Sequence, residues 1–256
     1  MSTRTRVTRI LFSCAAATSA AVLIGSGAVH AADTAAATIT VSNPSANGSY
    51  SAVTSHSSFL DLNTGISLTC TSGGGQNYGS QGAGVLPSQS GATLPATFGT
   101  GIESLLFNTA GGCTSLLGSV TSIATDTPYE IVIQNYPGVK SDGVTPANGD
   151  GYIHIKNVNV SMPACSFTVS GDAPVYYDNA TQSLNVTPDI APAYGTSTTG
   201  DVTLPHGPLT VSNVSGCLGE VNNGDIGAYY ATADAENPFG NDTPYVLNTA
   251  LQITSP

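Results

Sequence analysis

Tryptophan is absent from this sequence, methionine occurs twice, and only 8% of its 256 residues are charged. Positive charge is the scarcest resource: five Lys and Arg stand against sixteen Asp and Glu. Arg4, Arg6 and Arg9 fall at the N-terminus, which leaves Lys140 and Lys156 as the basic residues of the remainder. Neutralising phosphates takes clustered Lys or Arg, so nucleic acid is excluded as a partner. The same lack argues against attachment to anionic lipid. So little charge, beside abundant Gly, Ser, Thr, Asn and Ala, fits neither a helical bundle nor a charge-rich disordered chain. Long apolar runs are missing after Val29, so the mature chain should contain no membrane span.

The N-terminus itself carries a pattern. Three arginines precede an apolar and small-residue stretch from Ile10 to Val29, followed by Val29-His30-Ala31. A charged, an apolar and a small-residue region in that order make a secretory signal peptide over residues 1–31, cleaved after Ala31. Thr18, Ser19, Gly25, Ser26 and Gly27 dilute the run too much for a retained anchor. Cys14 precedes most of the apolar stretch, so it reads as signal sequence and not as a lipid attachment point. The product over residues 32–256 is expected to be secreted, extracellular or cell-wall associated.

Cys70, Cys113, Cys165 and Cys217 remain after cleavage. In an exported chain an even cysteine set reads as disulfides. Four cysteines allow three connectivities, and an internal resemblance favours one. Leu105-Leu106-Phe107-Asn108 leads to Gly112-Cys113 and Leu117-Gly118; Leu209 to Asn213 leads to Gly216-Cys217 and Leu218-Gly219. Each half also holds an earlier cysteine, Cys70 after Ser67-Leu68-Thr69 and Cys165 before Ser166-Phe167-Thr168. A duplicated unit then predicts the pairs Cys70–Cys113 and Cys165–Cys217, within possible halves 37–136 and 151–254.

Short runs of β-branched and aromatic residues recur between Gly, Pro, Asn and Asp clusters, which predicts an all-β, antiparallel, β-sandwich-like fold. No segment has a convincing helix start. From Tyr152 to Val160 the alternation reverses after Lys156, which calls for a bulge near Asn157 or a strand passing between sheets. His154 then reads as a half-exposed strand residue. Gly73 to Gly91 has a flexible-linker composition and is expected to be a mobile loop. Residues 137–151 read as a second long loop.

Candidate chemistry is sparse. His56, His154 and His206 follow the signal, none beside a nucleophile-elbow serine, and no Gly-x-Ser-x-Gly is present. Neither histidines nor cysteines fall at zinc-ligand spacing. Asp142, Asn148 and Asp150, or Asn222, Asn223 and Asp225, could offer calcium ligands, but the Asn-Gly-Asp-Gly context reads as turns. Asp126 with Glu130, or Glu103 with a distant acid, could form the carboxylate pair of a glycosidase. Tyr176-Tyr177 and Tyr229-Tyr230 place adjacent tyrosines on opposite strand faces, one buried and one at the rim. Asn-x-Ser/Thr triplets at Asn47, Asn159, Asn179, Asn185, Asn213 and Asn241 read as strand and turn residues in a bacterial-type secretory chain. No cofactor or metal is expected.

Gly112-Cys113, Cys165-Ser166-Phe167-Thr168-Val169 and Val214-Ser215-Gly216-Cys217-Leu218 together resemble a group of small secreted actinobacterial β-proteins. The same arrangement is distantly similar to exported alkane-oxidation activators of the PraB type, and covers most of the mature chain by pattern. Thr127-Pro128-Tyr129 stands where that group carries Leu-Pro-Trp. The resemblance implies an accessory role toward hydrophobic substrates. The residues themselves, with no catalytic motif, point to a non-enzymatic surface, structural or binding module with a cell-wall, glycan or protein partner. An extracellular hydrolase on polysaccharide or ester substrates is the alternative.

Overall fold

The computed structural model describes residues 37–139, 145–186, 202–230 and 244–256. The expected signal segment and Asp142 lie outside the described residues. The described residues contain strands and no helix. Eight of these strands close on themselves: β2 (Ser49–Thr54), β5 (Ser80–Val85), β8 (Ser104–Phe107), β11 (Thr121–Thr125), β15 (Asp150–Met162), β16 (Cys165–Asp178), β17 (Ser183–Val186) and β20 (Tyr245–Leu247). Their order is β16-β17-β20-β2-β5-β8-β11-β15, and β15 pairs back to β16, all antiparallel. The all-β expectation holds, but this closed barrel takes the place of a plain sandwich. Closure removes the unpaired edges that a sandwich must otherwise protect.

The ring closes because β15 and β16 form a long hairpin that changes neighbours halfway. Before the register break between Ile155 and Val158, β15 pairs with β12 (Tyr129–Asn135); after it, with β11. The bulge reading of the sequence reversal holds, and β15 changes neighbour within one sheet instead of passing between two. Ile153, Ile155, Val158 and Val160 are all buried on its inner side. Outside the ring, β7 (Ala96–Ile102) extends the sheet from β12, and β18 (Thr210–Ser215) lies along β16.

Three smaller sheets complete the fold. A five-stranded sheet comprises β3 (His56–Asp61), β4 (Ser67–Thr71), β9 (Cys113–Ser115), β10 (Gly118–Ser119) and β19 (Gly227–Tyr230). It packs on the ring through Phe59 against Phe167 and Phe107 against Tyr229, with centroids 6.1 and 6.4 Å apart. A three-stranded sheet of β1 (Thr38–Ser42), β6 (Gln89–Thr93) and β21 (Gln252–Thr254) contributes Val41 and Ile253 to the opposite end of the core. The last is a ribbon of β13 (Gly138–Val139) and β14 (Pro146–Ala147). Strands from before residues 137–151 (β2, β5, β8, β11) and strands from Asp150 onward (β15, β16, β17, β20) form two contiguous arcs that close into a single ring, and residues 36–256 form one compact unit.

The Gly73–Gly91 stretch, expected to be a loop, contains β5 and the start of β6. Its scarcity of large apolar residues concealed a strand whose contribution is backbone pairing and close approach.

Side chains fill the interior. Its voids measure about 60, 40 and 30 Å³, all with largely apolar walls. Tyrosine supplies volume without tryptophan, and the hydroxyls of Tyr50, Tyr129, Tyr177 and Tyr245 are bonded, as buried polar groups require. Tyr50 donates to the carbonyl of Gly101 (2.6 Å), Tyr177 to that of Leu251 (2.8 Å), and Tyr245 shares a cluster with Ser80 and Tyr229. Tyr129 donates to the carbonyls of Thr125 and Asn157, and burial pushes its hydroxyl up to about 12.

Both disulfides form as the internal repeat predicts, Cys70–Cys113 across β4 and β9, and Cys165–Cys217 from β16 to the loop after β18. The glycine before the second cysteine of each pair has a steric reason. A Cβ on Gly112 would lie 2.4 Å from the Thr71 carbonyl oxygen, and one on Gly216 2.4 Å from that of Ala164.

Candidate functional site

Three residues far apart in sequence meet outside the barrel wall. His154 and Asp172 are direct partners across β15 and β16, so their side chains share a face. That face is the outer one, because the flanking Ile153 and Ile155 point inward. The segment carrying His206 docks onto it through backbone bonds. The Asp172 N–H donates to the Gly207 carbonyl (2.9 Å), and the His206 N–H donates to Asp172 Oδ2 (2.9 Å). Gly171 permits this approach: its φ is +128°, and a Cβ there would lie 2.3 Å from the Pro208 carbonyl oxygen.

Both imidazoles turn the same edge to the same carboxylate. His154 Nδ1 lies 2.9 Å from Asp172 Oδ1, and His206 Nδ1 lies 3.0 Å from that atom and 3.3 Å from Oδ2. The rings stack with centroids 3.7 Å apart and 30° between their planes. Asp172 is fully buried, whereas the His154 and His206 side chains are 20% and 47% exposed. A buried carboxylate needs a compensating donor set. Lys156 does not supply it, since its Nζ donates instead to the Pro128 carbonyl. The imidazole Nδ1–H groups do, and that choice of tautomer leaves both Nε2 lone pairs facing away from Asp172. No described residue bonds to either Nε2.

Around the pair lies an open groove of about 330 Å³ lined by His154, Lys156, Ser170, Gly171, His206 and Thr210. Glu130 on β12 is the direct partner of His154 on its other side. Tyr152 meets the His206 ring at 6.4 Å in an edge contact. Its hydroxyl is pushed up by burial first, then by the negative charges of Asp172 and Glu130. The site therefore presents negative potential behind two imidazole acceptors.

Sequence reasoning named His154 and His206 separately and missed Asp172. Residues 18 and 34 positions apart carry no spacing signal. The available clue was local: a Gly-Asp step inside a strand, and a Pro-His-Gly-Pro turn able to dock on it.

The other expected residues are spent on structure. Asn148 Oδ1 accepts from the Asn179 N–H, and Asp150 Oδ1 from Asn135 Nδ2. Asn223 Oδ1 accepts from the Val214 N–H and Asp225 Oδ2 from the Asn222 N–H, as turn residues do. Asp126 accepts from Asn157 Nδ2, whereas Glu103 is exposed and bonds to the Ala83 carbonyl through its backbone N–H and not its carboxylate. His56 Nδ1 lies 3.2 Å from Ser55 Oγ. Tyr176 and Tyr177 are both buried, which corrects the expectation of one inside and one at the rim. The cause is that β16 is covered on both faces from Gly171 to Asp178.

One carboxyl pair carries a pH signature. Asp61 is fully buried; its Oδ1 accepts from the N–H groups of Asn63 (2.9 Å) and Thr64 (3.1 Å), while Oδ2 has no donor. Burial raises its pKa, the two backbone N–H groups oppose that, and the adjacent Asp225 carboxylate raises it further. A carboxyl raised on folding stabilises fully below its ordinary value of 3.8, and the contribution is lost as pH rises through the raised value. Asp61→Asn keeps the acceptor for both N–H groups and offers Asp225 a donor. Its stability should match wild type near pH 4 and exceed it by about 1 kcal/mol at pH 7. Urea midpoints at the two pH values check this; a variant weaker at both would contradict it.

Comparison with protein-family models, with curated proteins and with solved structures finds no match to this chain.

Proposed function

We propose that the protein is an exported, non-enzymatic β-barrel module that binds a cell-wall, glycan or protein partner through the groove around His154 and His206. The filled interior is the observation that supports this reading. Interior voids of about 60 Å³ and less are smaller than small-molecule pockets of about 300–1,000 Å³, which leaves the outer groove as the place for a ligand. Two disulfides fit an oxidising compartment, where such staples persist. The polar groups that meet solvent around a buried carboxylate lie on the outer wall, where a macromolecular surface can reach them.

A hydrolase would draw on the same groove, because His154 is oriented by Asp172 and Ser170 lies on the groove wall. Cell fractionation and pull-down of the purified protein on wall polysaccharide and insoluble glycans test the choice. The module reading expects retention on the insoluble fraction and loss of retention in a groove variant such as Thr210→Arg. A freely released monomer that retains nothing and hydrolyses polysaccharide or ester substrates would overturn it.

A further inference from the structure

We propose that His154 and His206 bind a divalent transition-metal ion of the zinc or copper class through their Nε2 atoms, with Asp172 as the orienting carboxylate. This deepens the reading of the groove as the binding site and rests on it for the location of the ion outside the cell. Four observations converge. One ligand atom from each of the three residues falls within 4.8 Å of the others. Both Nδ1 atoms are committed to Asp172, so each ring is held as the tautomer whose Nε2 carries a lone pair. A metal-bound histidine that donates its other N–H to a carboxylate is the usual supported arrangement, and here a single buried carboxylate supports two.

The rings are also already parallel neighbours. A tetrahedral ion with bonds of about 2.0–2.1 Å wants two nitrogens about 3.3 Å apart. Stacked centroids at 3.7 Å hold the rings side by side, and an ion between the Nε2 atoms would swing them apart about their Asp172 bonds to the roughly 5 Å that two imidazoles take on one tetrahedral centre. Finally, the exposed edges open into a groove of about 330 Å³, large enough for an ion to keep open positions for water or for a partner's donor group. Glu130 and Asp172 make the surroundings negative, and the ammonium of Lys156, on the groove wall, is held by the Pro128 carbonyl. Imidazole nitrogen suits zinc, copper and nickel and not calcium or magnesium. Such an ion lets the module capture an oxygen or nitrogen donor on its partner without any arginine.

The test uses the oxidised mature protein, stripped with chelator and titrated with Zn²⁺ and with Cu²⁺ by calorimetry. One ion per chain is expected. His206→Ala, on an exposed turn, and His154→Gln should each weaken binding at least tenfold. Asp172→Asn should weaken it about 10–100-fold, as loss of a supporting carboxylate does. Nitrogen hyperfine coupling on bound Cu²⁺ should report two imidazoles in wild type and one in His206→Ala. Unfolding midpoints identify any variant lost to misfolding, and His206→Ala alone then decides. No binding at millimolar metal, or equal binding by wild type and His206→Ala, would overturn the assignment. Glycan capture by chelator-treated protein separates the two readings: if capture persists while titration fails, the ion falls and the module stands. Metal binding without any capture has the opposite consequence.

Discussion

Replacing Cys165 and Cys217 together by serine is expected to lower the stability of the mature protein by about 4 kcal/mol. The bridge spans 52 residues, and cross-linking a loop of that length removes unfolded-chain entropy worth about 4 kcal/mol at 25 °C. For a chain of this size, that corresponds to a midpoint lower by about 8–16 °C. The Cys70–Cys113 bridge spans 43 residues and should be worth nearly as much. The two losses differ in what they release. Cys70–Cys113 joins residues already paired across β4 and β9 in the middle of a sheet. Cys165–Cys217 anchors the end of β18, which has a ring strand on one side only. Removing it loosens β18 and, just upstream, the segment that brings His206 to Asp172. Amide exchange in residues 202–215 should therefore accelerate more than in β4, and binding at the groove should weaken with it. Thermal unfolding of both double mutants checks the magnitude; a loss below about 1 kcal/mol would mean the unfolded chain is already constrained without the bridge.

How much of this was legible beforehand depends on the kind of signal. The disulfide pairs were readable because the Gly-Cys repeats mark two places where a backbone passes close to a strand, at Thr71 and at Ala164. The parity reversal at Lys156-Asn157 was readable because alternation is a property of consecutive residues, and one inserted residue reverses it. Barrel closure was not readable. It depends on β17, β20 and β2 pairing in sequence around the ring, and each of those strands looks the same in a sandwich. The His154–Asp172–His206 cluster was equally hidden. Its geometry is set by the register of β15 on β16 and by the docking of Gly207 on Gly171, neither of which leaves a spacing in the chain.

The Gly-rich stretch from 73 to 91 was misread for a physical reason, and two alanine substitutions expose it. Gly82 and Gly84 lie two residues apart on the same inward face of β5, both buried, and should respond in opposite directions. At Gly84 an added Cβ would sit 2.1 Å from the Gly101 carbonyl oxygen and 2.7 Å from its carbon. Both obstacles are backbone, on β7 where it crosses β5, so no rotamer change relieves them. Separating the two strands would also disturb the Tyr50 hydroxyl, which donates to that same carbonyl. Overpacking of this kind costs about 1–3 kcal/mol, and loss of the buried hydrogen bond brings Gly84→Ala to about 3 kcal/mol or more. At Gly82 an added Cβ meets nothing within 4 Å and points into the void of about 40 Å³ walled by Tyr50, Ala52, Leu105 and Tyr245. A methyl group there buries apolar surface worth about 0.8 kcal/mol and restricts the unfolded chain. Gly82→Ala should therefore be more stable than wild type by about 1 kcal/mol. Denaturant midpoints of the two variants read both effects, and equal small changes in both would return this stretch to the flexible linker that its composition resembles. Opposite signs would show that one glycine is there for close approach and the other leaves a gap, a distinction composition cannot carry because it counts both alike.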